Sequence, residues 1–98
     1  MKLNEKVVCA DGFSMSVQAN AGAYCLPRMT DAPIYREVEV GFPNMEEPLL
    51  MEWAEDAGKP TDTVYGWVPV QVVTNVIAKH GGIISGEVPS GVIPLELP

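Results

Sequence analysis

Two cysteines and a single histidine are the residues of this chain most suited to chemistry. Cys25 as nucleophile with His80 as its base would make a thiol-based catalytic pair. Nothing in the spacing brings the two together, and no local motif surrounds Cys25. A buried thiol and an imidazole at a helix end is the simpler reading. Cys9, Cys25 and His80, completed by Asp11, would make a four-ligand zinc set. Structural zinc sites usually take cysteines two to four residues apart, whereas fifteen residues stand between these two. A Cys9–Cys25 disulfide would need a hairpin to join them and an oxidising compartment. The expectation is two buried thiols, no metal, no cofactor and no enzymatic activity.

Carboxylates are the next resource. Glu37, Glu39, Glu46, Glu47, Glu52, Glu55, Asp56 and Asp62 crowd the middle of the chain. A desolvated pair could do acid–base work, but a small domain has little room for a deep cleft, and a solvated face is the more economical reading. A strip of carboxylates on a rigid sheet has a second use. It copies the charge pattern of a nucleic-acid backbone and can occupy a basic groove on another protein. On that reading Glu46, Glu47, Glu52, Glu55, Asp56 and Asp62 form the partner-binding set. Tyr24, Arg28, Arg36 and Trp67 form an alternative set, able to supply phosphate contacts and stacking to a nucleotide-like ligand held by the chain or between its subunits. Tyr65 and Trp67 flank Gly66, so regular alternation places them on one side of a strand, facing the core.

The elements that must position these residues follow from composition and pattern. Ninety-eight residues, 47% of them hydrophobic, suit one domain with a packed core. A net charge of −7 disfavours direct contact with DNA or RNA and suits a partner with a basic surface. No apolar run approaches a membrane span, and the first residues lack the pattern of a secretory signal. Lys6–Ala10 reads as a strand, Asp11-Gly12 as a hairpin turn, and Phe13–Ala19 as an alternating strand with Phe13, Met15 and Val17 inward. A short strand is expected over Ala23–Leu26. Ile34–Phe42 alternates again, with Val38 and Val40 inward and Tyr35, Glu37 and Glu39 on the opposite face.

Glu47–Ala54 is read as a buried strand, with a short helix from Pro48 to Ala57 as its alternative, and Thr61–Trp67 as its strand partner. The helix is Pro69–His80, where Val70, Val72, Val73, Val76, Ile77 and His80 share half of the wheel and Gly81-Gly82 stops it. Ile83–Ser85 adds a strand, and 86–98 runs on as an extended tail. The fold expected is α+β: a mostly antiparallel sheet of four to six strands with one helix, about 69–80, on a face. Exposed sheet edges make a homodimer reasonable.

The strings Cys9-Ala-Asp-Gly-Phe-Ser-Met-Ser-Val-Gln-Ala19, Gly22-Ala-Tyr-Cys-Leu-Pro-Arg28, Val38-Glu-Val-Gly-Phe-Pro43 and Val64-Tyr-Gly-Trp-Val-Pro69 resemble a group of small proteins from tailed bacteriophages and enterobacterial prophages. The likeness extends to the valine-rich helix ending Lys79-His-Gly-Gly82. It implies a phage accessory protein acting in the bacterial cytoplasm. It also implies one that blocks a host macromolecule, such as a component of CRISPR defence, or sequesters a signal molecule.

Overall fold

A computed structural model describes residues 2–96. Five antiparallel strands form one sheet: β1 (Val7–Cys9), β2 (Ser14–Gln18), β3 (Glu37–Gly41), β4 (Val64–Pro69) and β5 (Ile83–Ser85), in spatial order β4-β3-β2-β1-β5. One helix, α1 (Val70–Lys79), follows β4 directly and carries the chain to the opposite edge of the sheet, where β5 begins. This is the expected α+β architecture.

Local chemistry explains most of it. Gly12 takes a φ of 93°, and the Asp11 side chain accepts the Phe13 N–H, closing the β1–β2 turn. Phe13, Met15 and Val17 are buried, as their alternation requires, together with Val38 and Val40 of β3. Val73, Val76 and Ile77 bring the apolar stripe of α1 into the same core. Pro69, expected as the first helical residue, is instead the last residue of β4 and the helix N-cap. His80 is the C-cap.

Four further expectations need correction. Glu47–Ala54 is neither a strand nor a helix reaching Ala57, but a 3₁₀ helix over Pro48–Trp53. The Glu47 carboxylate accepts the Leu49 N–H, and Pro48 fits the first helical turn, so the segment closes into a turn that drops Leu50 into the core. Ala23–Leu26 forms no strand; only Leu26 bridges to Glu37. Tyr35 lies before β3 rather than on its outer face. It is buried, with its hydroxyl donating to the Met29 carbonyl.

The fourth correction is Trp67. Val38 pairs with Val68, but Val40 pairs with Tyr65, so β4 spends one residue more than β3 over this step. The bulge turns Tyr65 and Val68 both inward and throws Trp67 outward, its φ at 52°.

Neighbouring backbone covers both flanks of the sheet. Beside β4, Glu55 N–H donates to Val64 O and Trp67 N–H to Tyr24 O. Beside β5, Ile83 N–H donates to Leu95 O. These bonds cover part of each edge of the sheet. The tail is laid along the surface: Glu87 N–H bonds Glu5 O, Tyr35 N–H bonds Ser90 O, and Val92 is buried. Residues 97 and 98 of the expected tail lie outside the described residues.

Candidate functional site

Three elements deliver charged side chains to one point. The β1–β2 turn supplies Asp11, the start of the 3₁₀ helix supplies Glu47, and the end of α1 supplies Lys79 and His80. His80 Nδ1 lies 2.6 Å from Asp11 Oδ2, and Nε2 lies 2.7 Å from Glu47 Oε1. Lys79 Nζ is 2.8 Å from the same Glu47 oxygen. The His80 ring also stacks on Phe13, with centroids 4.1 Å apart. Each ring nitrogen of His80 therefore faces a carboxylate oxygen, one from the β1–β2 turn and one from the 3₁₀ helix.

Glu47 is 1% exposed. Burial alone would push its carboxyl up, but hydrogen bonds from Lys79, the Leu49 N–H and His80 together hold it below the ordinary carboxylate value. The Phe13 N–H and then His80 hold Asp11 low as well.

This arrangement occupies the reactive residues. Both nitrogens of His80 are committed to carboxylates, leaving none to take a proton from a thiol. Cys25 donates instead to the carbonyls of Asn20 and Pro27. Cys9 and Cys25 are buried and unbridged. Burial, and after it the Asp11 charge, pushes the Cys9 thiol up, away from the reactive thiolate. The zinc set of Cys9, Asp11, Cys25 and His80 does not assemble. Among the described residues no group of three His, Cys, Asp or Glu side chains is placed to hold a metal ion. The cluster ties the fold together at a helix end.

The second arrangement lies on the surface along the outer edge of β4. Trp67 is 46% exposed, and its ring stacks on Tyr24 at 4.9 Å between centroids with 21° between planes. The Arg28 guanidinium lies 5.5 Å above the Tyr24 ring. Gly66 makes the approach feasible, because a Cβ there would stand 3.3 Å from Tyr24 Cβ. Tyr24, Arg28 and Trp67 of the alternative set thus form one stack. Arg36 does not join it, lining a separate apolar depression with Leu26, Pro27 and Ile34.

Further along β4, the 46–62 segment presents Glu46, Glu52, Glu55, Asp56 and Asp62 to solvent, none of them in an ion pair among the described residues. The segment is held in shape by Asp56 N–H to Thr63 Oγ1, Gly58 N–H to Asp56 Oδ1 and Glu55 N–H to Val64 O. Glu47 leaves the expected partner-binding set, because its carboxylate is buried against Lys79 and His80. Sequence reasoning missed that role. The available signal was the Glu47-Pro48 pair, an acidic N-cap before a first-turn proline.

No helix is long and apolar enough to cross a membrane among the described residues. No family model, curated protein or solved structure matches the chain.

Proposed function

We propose that this chain is a phage accessory protein that binds and blocks a macromolecule of the bacterial host, engaging a basic protein surface along the outer edge of β4. One observation carries the reading. Trp67 is a large aromatic side chain held out in solvent by a left-handed backbone, when ordinary alternation would have buried it. Strain of this kind persists where the surrounding structure enforces it, and it gathers at functional positions. Trp, Tyr and Arg are also the residue types that dominate binding energy at protein interfaces. The neighbouring carboxylates would steer a basic partner and fix its orientation, contributing more to association rate than to final affinity. A nucleic-acid-binding channel of a defence effector has the required charge.

The test is capture from bacterial lysate with tagged protein, followed by affinity measurement with the purified partner. Stoichiometric capture that Trp67→Ala abolishes supports the reading. A Glu52→Lys/Glu55→Lys/Asp56→Lys variant should slow association, most at low salt. Undiminished capture by both variants removes it.

The Tyr24–Trp67 stack also bears on a second reading, a nucleotide-like ligand. The two rings already touch, and a base sandwiched between them would need roughly 7 Å. Only the outer face of Trp67 remains, so calorimetry with nucleotide messengers should give flat titrations if protein binding is the function.

A further inference from the structure

The outer face of the sheet carries a cleft of about 320 Å³, lined mainly by apolar surface from Leu3, Ala23, Phe42 and Val64, with Ser16, Asn20 and Gly41 beside them. Glu39 is the charged residue lining it. Glu39 is a half-buried residue, and its carboxylate accepts the Tyr24 N–H at a long 3.5 Å. No lysine or arginine pairs with it among the described residues. The nearby Gln18 amide is already spent on Asn4 O and Ser16 Oγ. An anionic group in an apolar recess, with most of its acceptor capacity unused, is built for a cation that arrives on an apolar stem.

Phe42 sharpens the chemistry. Its φ is 49°, its N–H is pinned to Thr63 O, and the residue, which lines the cleft, is 50% exposed. A planar guanidinium can fork onto a carboxylate and stack on an aromatic face, while its methylenes line apolar walls. We infer that the Glu39 cleft receives an arginine side chain from the basic protein partner. This deepens the reading above and rests on it.

The cleft is tested first without the partner. NMR titration with acetyl-Gly-Arg-Gly-amide should shift the Gly41, Phe42 and Ala23 amides, and the peptide with citrulline in place of arginine should bind at least about fivefold more weakly. Glu39→Gln keeps the size of the side chain and an acceptor for the Tyr24 N–H. It should abolish the shifts. Gly41→Val should abolish them by filling the space. A Cβ at Gly41 would make only ordinary contacts, 3.7 Å from Ser16 and Val64, so the strand tolerates a side chain there.

With the captured partner, Glu39→Gln should weaken binding at least tenfold. Peptide shifts that persist in Glu39→Gln, or partner affinity that Glu39→Gln leaves unchanged, would overturn the inference. If wild-type protein captures no partner, the wider reading fails, and the peptide titration still decides whether the cleft takes a guanidinium.

Discussion

His80 Nε2 meets Glu47 Oε1 at 2.7 Å across 33 positions of sequence. The contact joins the C-terminal end of α1 to the start of the 3₁₀ helix, and the other ring nitrogen joins both to the β1–β2 turn through Asp11. A buried charge of this kind stabilises only while every partner is present, because removing one leaves the rest desolvated and uncompensated.

Glu47→Ala is therefore expected to cost about 2–4 kcal/mol, below the upper range for buried pairs because Lys79 is half-exposed. In a domain of this size the loss lowers Tm by about 10–20 °C. Thermal unfolding followed by circular dichroism measures it. A fall of under about 3 °C would show that the cluster contributes little.

Acid should weaken the same cluster. Glu47 and Asp11 are both held below their ordinary values of 4.5 and 3.8. In the window below those values the unfolded chain binds more protons than the folded one, so stability rises with pH there. The contribution is fully present above the unfolded values and is lost as pH falls through the folded ones. Urea midpoints measured downward from about pH 5 should decline, and Glu47→Gln should decline less steeply. Parallel curves for the two proteins would contradict the assignment.

Local signals carried much of this fold. The Asp11-Gly12 turn and the alternation after it place Phe13, Met15 and Val17 in the core because turn chemistry and strand period act over neighbouring residues. The helix was legible for the same reason: a proline before it, glycines after it and an apolar stripe between. Glu47 was not legible as a buried residue, since its partners Lys79 and His80 become neighbours only when the fold closes. Trp67 was misplaced because a single extra residue in β4 breaks the two-residue period. Gly66 inside that strand was the one local hint of a bulge. The Tyr24–Trp67–Arg28 stack was legible as a set of residue types but not as a geometry, because β4 and the loop before β3 meet only in three dimensions.

Trp67 and Tyr65 should respond to substitution in opposite ways. Trp67→Gly removes a stack worth about 0.5–1.5 kcal/mol but places at φ 52° a residue that takes positive φ freely. The two effects offset, and stability should stay within about 1 kcal/mol of the wild type. Tyr65→Ala empties a fully buried site and should cost about 3–5 kcal/mol. Chemical denaturation compares them directly. Similar losses for both would mean that Trp67 is a structural residue, and the case for it as an exposed anchor would fall.

The tail should prove integral to the fold at two glycines. Gly86 has a φ of 106°, and a Cβ there would stand 2.3 Å from the Lys6 carbonyl oxygen and 2.5 Å from Val7 Cα. Gly91 has a φ of 110°, and its Cβ would stand 2.3 Å from the Tyr35 carbonyl oxygen. Both obstacles are backbone, so no side-chain rotation relieves them, and the left-handed conformation adds its own strain. Alanine at either position must lift the tail from β1 or from the segment before β3. Such backbone conflicts rank among the larger single-residue effects, and each variant should lose at least about 2 kcal/mol. Hydrogen exchange would locate the damage. Gly86→Ala should expose the Glu87 amide, which donates to Glu5 O, and Gly91→Ala should expose the Tyr35 amide, which donates to Ser90 O. If both variants unfold at the wild-type midpoint with these amides still protected, the tail does not dock as described. Residues beyond Ser85 could then be removed without cost to the sheet.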